Sequence, residues 1–487
     1  MAMSGETEPV RVLIIGAGPG GLAMGHHLQQ AGIEDFVLVE RLDGVGGTWR
    51  INTYPGAECD VPSHLYSFSF RLNPGWSKSY AAQPEILEYF ETFAEESGLI
   101  DHLRSGTEVV TAVWDEKRRR WTITAADGRS WSAQHVVSAV GTFNDPLPAE
   151  LPGIGSFAGP VIHSARWDHG VDLVGRRVAV VGTGASAIQI VPELAEVVDH
   201  LDVYQRTAPW VLPRNDVPFS PQQQEAFAAD PGLMATMREE IERFYLEAIP
   251  LRVGDPRAEV LAAIGRAHLE SSVTDPELRA RLEPGTVIGC KRILVSDTYY
   301  PALQRPNIDL VTDPIREVVA EGIITEDGML RPVDVIVAAT GFRATDYLAG
   351  IEVIGRSGES LHQRWGDEPR AYLGMAVPGF PNFFVMYGPN TNQAGNSILV
   401  VLEAQARYIS QWVTGLESRG GSVSEVSDAA FLEDQRRLDE EMRGTVWSHC
   451  GSYFRTATGH IATQMPVTSR EYERRVAEVD WTALVIR

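Results

Sequence analysis

One local pattern occurs twice in this chain and restricts its fold more than any other. The first copy runs Val12-Leu13-Ile14-Ile15 into Gly16-Ala17-Gly18-Pro19-Gly20-Gly21. The second runs Val178-Ala179-Val180-Val181 into Gly182-Thr183-Gly184-Ala185-Ser186-Ala187. Each reads as an apolar strand, a GxGxx(G/A) turn and an apolar helix. Glycine in such a turn lets backbone N–H groups approach a pyrophosphate at the helix N-terminus. A lone GxGxxG is weak evidence, but both copies stand between strand and helix, as the mechanism requires. Ala187 takes the last position of the second turn and is small enough for close helix–sheet packing. The two units end differently: Glu40 ends the next strand of the first unit, and Arg206 stands at the same offset from Gly182 as Glu40 does from Gly16. A carboxylate there accepts hydrogen bonds from a ribose diol, whereas an arginine suits a 2′-phosphate, with Thr207 as a further hydroxyl donor. Two dinucleotides are therefore expected, one without a 2′-phosphate, such as FAD, and NADPH. That pairing implies a redox enzyme.

The 487 residues suggest two or three domains. The expected architecture is α/β, with two Rossmann-like dinucleotide-binding domains and a helical insertion in the NADPH domain. The FAD domain is expected over 1–147 and 344–487, the NADPH domain over 148–214 and 291–343, and the insertion over 215–290. Within this frame, Val109–Trp114, Trp121–Ala125 and His135–Val140 read as a meander, with Asp115–Arg120 as its solvated hairpin tip. Phe143–Gly155 reads as an interdomain linker. Glu239–Leu246 and Ala258–Ser271 show helical spacing, and Asp275-Pro276 reads as an N-cap followed by a first-turn proline. Val333–Ala339 reads as a strand returning to the second domain.

A formal net charge of −23 argues against a general affinity for nucleic acid or anionic membrane. No run of about 18 apolar residues occurs, so no membrane span is expected. Met1–Pro9 is polar and acidic and does not read as a signal peptide. Cys59, Cys290 and Cys450 lie far apart, form no CxxC pair or zinc pattern, and suit a reducing cytoplasm. No metal site is expected, and the chain is expected to be a monomer or weak homo-oligomer.

Between the units lies Phe157-Ala158-Gly159-Pro160-Val161-Ile162-His163-Ser164-Ala165-Arg166-Trp167-Asp168. Spacing alone assigns it no chemistry. It matches FxGxxxHxxxW(P/D), however, and by it the chain resembles the type I Baeyer–Villiger monooxygenases of the class B flavoprotein monooxygenase family. Phe157, Gly159, His163, Trp167 and Asp168 fill the defining positions. The resemblance extends over nearly the whole chain. Gly46-Gly47-Thr48-Trp49 and Tyr54-Pro55-Gly56-Ala57-Glu58-Cys59-Asp60 resemble that family's flavin-side loops, and Tyr204-Gln205-Arg206-Thr207 its NADPH strand end. Lys291-Arg292 before Asp297-Thr298-Tyr299-Tyr300 resembles its catalytic arginine loop, and Ala339-Thr340-Gly341-Phe342 its ATG motif. The chain departs from the family in its shorter insertion and in Met465, where tryptophan is common.

The resemblance implies a monooxygenase that uses NADPH and O₂ to convert a ketone to an ester or lactone through a flavin C4a-peroxide. It implies that Arg292 is the catalytic arginine, Asp60 its carboxylate partner and Lys291 a 2′-phosphate ligand. His163 would order the linker. The expected FAD contacts are Gly16, Gly18, Gly21, Glu40, Gly47, Thr48, Trp49, Asp60, Tyr66, Val110 and Asn390. The expected NADPH contacts are Gly182, Gly184, Ser186, Ala187, Arg206, Thr207, Lys291, Arg292, Thr340 and Gly341. The rivals are a sulfur- or nitrogen-oxidising flavin monooxygenase, against which Trp167 weighs, and a flavin-dependent NADPH reductase. A disulfide reductase needs a redox cysteine pair, and Cys59 has no neighbouring cysteine.

Overall fold

Each glycine signature sits where a parallel sheet feeds a helix. The computed structural model describes residues 7–248, 252–393 and 395–487. Of the segment Met1–Pro9, residues 1–6 lie outside the described residues. The first sheet is eight-stranded, ordered Glu352–Ile354, Val109–Asp115, Arg120–Ala125, Ser130–Ser138, Glu8–Ile15, Phe36–Val39 and Leu103–Arg104, with Phe383–Val385 also paired to Ser130–Ser138. Glu8–Ile15 runs parallel to both neighbours, with Ile14 opposite Leu38 and Val137. It is covered on both faces, so Val12–Ile15 reads as a continuous apolar run and not as an alternation. The antiparallel meander is different: Arg120–Ala125 alternates half-buried and buried residues, and Arg119 at its tip has φ 55°.

The second sheet is parallel and five-stranded, ordered Ile308–Val311, His200–Tyr204, Arg177–Val181, Val335–Ala338 and Val161–His163. The strand exits of the two sheets correspond. Gly16 has φ +100°, and a Cβ there would lie 2.7 Å from the Ala139 carbonyl oxygen. Gly182 has φ +120°, and a Cβ there would lie 2.5 Å from that of Ala339. Any side chain would therefore displace Ala139-Val140-Gly141 or its counterpart Ala339-Thr340-Gly341.

The chain passes between the sheets twice, and the two passages bond to each other. Leu147 N–H donates to the Gly341 carbonyl at 2.9 Å and Arg343 N–H to that of Asp145 at 3.0 Å. The insertion contains the helices Pro221–Ala229, Pro231–Ala248, Pro256–Ser272 and Pro276–Leu282. Each begins at a proline, whose missing N–H costs nothing in a first turn. Ser220, Asp255 and Asp275 cap three of them through their side chains. The C-terminal residues return to the first sheet, and the helix Ile398–Ser418 packs on Pro19–Gln30.

Cys290 and Cys450, 160 residues apart, are joined by a disulfide that the sequence reading did not anticipate. A pair so far apart in sequence has no local spacing signal. Cys59 is free and buried, and burial pushes its thiol well above the usual range.

Candidate active site

A cavity of about 1470 Å³ opens where the two sets of strand exits face each other. Gly16, Gly18, Glu40, Gly47, Thr48, Trp49, Asp60 and Tyr66 line it from the first domain. Gly182, Gly184, Ser186, Arg206, Thr207, Lys291, Arg292, Thr340 and Gly341 line it from the second. Four expected contacts lie off the wall. Gly21 and Ala187 are helix–sheet packing residues: Ala187 is fully buried, and a Cβ at Gly21 would lie 2.0 Å from the Gly16 carbonyl oxygen. Val110 is replaced on the wall by Glu108 and Val109. The Asn390 amide is turned to structural use, donating to the carbonyls of Ile461 at 2.7 Å and Gln464 at 3.1 Å.

The donor set fits two dinucleotides. Both signature helices have glycine N-caps, Gly18 and Gly184, with no side-chain cap, unlike the three capped insertion helices. Their first N–H groups are thus left for an anion. A Cβ on Gly184 would meet no atom within 4 Å and would project into open space. Glu40 is buried, held by N–H groups of Ala17 at 2.7 Å and Leu42 at 2.9 Å, with lone pairs to spare for hydroxyls. On the other side, Lys291 and Arg206 are near neighbours. Burial first, and then the Arg206 charge, push the Lys291 ammonium below its usual pKa. Neither has a carboxylate partner among the described residues, so the cavity wall carries two uncompensated cations here.

Between the cradles, Arg292 meets Asp60 in a bidentate pair: Nε to Oδ2 at 2.7 Å and Nη2 to Oδ1 at 2.7 Å. Arg292 comes from the turn before Leu294–Val295, and Asp60 from a loop of the first domain. Burial would raise the Asp60 carboxyl, but the charge and hydrogen bonds of Arg292, with the charge of Arg214, outweigh it and hold the carboxyl below the usual range. Asp60 in turn raises Arg292 beyond any working pH. The guanidinium keeps N–H donors that Asp60 does not use, those of Nη1 among them.

The linker fingerprint lies off the wall and is structural. A Cβ on Gly159 would lie 2.2 Å from the Asp334 carbonyl oxygen. Phe157 and Trp167 pack against the cores of the second domain, and Asp168 Oδ1 accepts the Gly170 N–H at 2.8 Å. The Ala165 N–H donates to His163 Nδ1 at 3.1 Å, which puts the ring proton on Nε2, facing the Leu147 carbonyl at 3.1 Å and Thr340 Oγ1 at 3.2 Å. Burial lowers the imidazole pKa, in keeping with this neutral form. His163 therefore ties one interdomain passage to the other.

Sequence reasoning passed over much of the wall near the pair. Tyr387 donates to Asn392 Oδ1 at 2.6 Å, and the Asn392 amide to Gln464 Oε1 at 2.5 Å. Gln393 is buried with both amide atoms unpartnered among the described residues. The signal for these polar groups was slight: a glycine-proline turn just before them. Met465 lies off the main cavity, against a small void beside Tyr245 and Leu246.

Comparisons with known proteins agree with this arrangement. A family model described as pyridine nucleotide-disulphide oxidoreductase matches residues 13–230, less than half the chain. A Baeyer-Villiger monooxygenase of Streptomyces coelicolor is 41% identical, over 97% of this chain and 92% of the relative. One from Pseudomonas aeruginosa is 38% identical, over 99% and 93%. The chain belongs to the Baeyer–Villiger monooxygenase family. Among solved structures, cyclohexanone monooxygenase from Rhodococcus sp. Phi1 bound to NADP⁺ superposes with a TM-score of 0.89 at 31% identity, covering 99% of this chain and all of that one. Steroid monooxygenase bound to NADP follows at 0.87 and 30%, covering 98% and 99%. This Baeyer–Villiger monooxygenase is thus an FAD- and NADPH-dependent enzyme that converts a ketone to an ester or lactone. No helix among the described residues is long and apolar enough to cross a membrane.

Proposed function

We propose that Arg292 is the catalytic cation of this ketone monooxygenase and that Asp60 is the partner that orients it. The observation that carries this reading is the bidentate pair on the cavity wall between the two nucleotide cradles. FAD, when bound, supplies the oxygen chemistry, with O₂ as oxidant and NADPH as the source of electrons. Gly16, Gly18, Glu40, Gly47, Thr48, Trp49 and Tyr66 would hold FAD. Gly182, Gly184, Ser186, Arg206, Thr207, Lys291, Thr340 and Gly341 would hold NADPH.

The protein supplies position and charge. A ketone oxygen gains negative charge as its carbon is attacked. Arg292 offers that oxygen its unused N–H donors while Asp60 holds the guanidinium plane in place. A fixed donor aimed at such an oxyanion supplies about 3–4 kcal/mol of transition-state stabilisation. Arginine suits the task because it stays protonated, and Asp60 strengthens that further. A cytoplasmic location is part of this proposal, now on the ground that the enzyme needs NADPH.

The test is Arg292→Ala in the FAD-loaded enzyme, assayed on a panel of cyclic, linear and aryl ketones. Flavin reduction by NADPH should persist while ester formation falls at least 100-fold. Ester formation near the wild-type rate would overturn the role. Turnover of thioethers but no ketone by the wild type would favour the sulfur-oxidising reading.

A further inference from the structure

A second arginine stands behind the catalytic pair. Val211–Leu212 and Leu294–Val295 form a short parallel ladder, with Val211 opposite Leu294 and Leu212 opposite Val295. Arg292 lies two residues before one strand and Arg214 two residues after the other. The ladder is closed by Asp297, which accepts the backbone N–H groups of Arg214 at 2.8 Å and Asp216 at 3.2 Å. The same short element therefore places both guanidiniums.

From there Arg214 reaches into the loop that carries Asp60. Its Nη2 donates to the Cys59 carbonyl at 2.9 Å, one residue before Asp60, and its Nη1 donates to the Glu58 carboxylate. The guanidinium stacks 4.7 Å from the centroid of Tyr80, and the side chain is only 11% exposed. Glu58 is held from its other side by Lys78, which also pairs with Asp216 at 3.0 Å. Arg214 does not line the cavity. It therefore stands behind the cavity wall, where it acts through its neighbours.

This construction exceeds what holding two domains together requires. A surface ion pair contributes little, whereas a buried guanidinium that stacks, pairs and bonds a carbonyl fixes a backbone segment. Asp60 also has a demand that Arg292 alone does not meet. When Arg292 gives donors to a substrate oxyanion, the carboxylate loses part of its compensation. Arg214 is the second cation whose charge reaches it.

We propose that Arg214 is a positioning residue for the catalytic pair: it pins Glu58-Cys59-Asp60 to the second domain and so sets where Asp60 presents its carboxylate to Arg292. The proposal rests on the reading of Arg292 and Asp60 as the catalytic pair.

The test uses the FAD-loaded full chain with cyclohexanone as probe ketone, comparing wild type, Arg214→Gln, Arg214→Lys, Arg292→Ala and the double variant Arg214→Gln/Arg292→Ala. Arg214→Gln should lower kcat for ester formation at least 10-fold and change the KM for NADPH less than twofold. Arg214→Lys should recover at least a third of the wild-type kcat. The double variant should be no worse than Arg292→Ala alone, because both changes act on one unit. A crystal structure of Arg214→Gln should show the Arg292–Asp60 contact opened beyond 3.5 Å, a readout independent of activity and of whether cyclohexanone is accepted. A pair still closed at 2.7 Å would overturn the proposal. So would a lysine variant no better than glutamine, or losses that multiply in the double variant. If Arg292→Ala alone forms ester at the wild-type rate, the underlying reading of the pair fails instead.

Discussion

Asp60→Asn isolates the charge of the Arg292–Asp60 pair while nearly preserving its shape. In the native site two N–H donors of Arg292 meet two carboxylate oxygens at 2.7 Å. Asparagine keeps one acceptor and sets an NH₂ against the second donor, so one bond is lost and one contact becomes repulsive. A hydrogen bond to a charged group contributes about 1.5–3 kcal/mol. The side chains of Arg292 and Asp60 are 30% and 25% exposed, so water replaces part of that loss. A net effect of about 2–3 kcal/mol on holding the guanidinium corresponds to roughly a 30- to 150-fold fall in kcat. The assay is ester formation at saturating NADPH, with anaerobic flavin reduction measured beside it. Reduction should change less than threefold, since the cradles that hold both nucleotides are untouched. A kcat within twofold of wild type would show that Asp60 does not orient Arg292 and would refute the reasoning.

Four further outcomes follow from the same geometry. Arg206→Ala should raise the KM for NADPH at least 10-fold and leave that for NADH nearly unchanged; an unaltered preference would remove its 2′-phosphate role. The Asp60 carboxyl is depressed, so its contribution is complete above the ordinary carboxylate pKa of about 4 and is lost only as pH falls below that. The Arg292 pKa is raised, so its charge persists to the alkaline limit; ester formation between pH 6 and 9 should show no step that Asp60→Asn abolishes. Denatured, unreduced protein should titrate one thiol, and three after reduction, whereas three at the outset would contradict the Cys290–Cys450 pairing. Buried Cys59, its thiol pushed up, should resist iodoacetamide at pH 8 in the native enzyme, and alkylation within minutes would show its loop to be open.

How much was legible in the sequence depended on whether the signal was local. The two glycine turns announced themselves because each packs strand, turn and helix into one short continuous segment, Glu8–Gln30 and Arg177–Ala195, and Glu40 and Arg206 follow at a spacing set by one helix and one strand. Asp275 and Pro276 were readable as a helix start for the same reason. The Arg292–Asp60 pair could not be derived from spacing, because 232 residues separate the partners; only resemblance suggested it. The equivalence of Ala139-Val140-Gly141 with Ala339-Thr340-Gly341 escaped notice, although each carries the carbonyl that forbids a Cβ at the opposing signature glycine. Asn390 stands off the cavity wall, and the sequence could not show this because a turn after a strand near a flavin site looks the same whether its amide faces a cofactor or a carbonyl. Arg214 had no signal at all: its meaning lies in the Glu58–Cys59 backbone, which only the folded chain brings to it.

The most direct test of the central claim is the fate of ¹⁸O₂ in the reaction of NADPH with a converted ketone, in wild type and in Arg292→Ala. The expected result is wild-type ester carrying one ¹⁸O atom. The alanine variant should consume NADPH but release its oxygen as peroxide, without ester. Labelled ester from Arg292→Ala at the wild-type rate, or unlabelled ester from either enzyme, would contradict an Arg292-assisted insertion of oxygen from O₂.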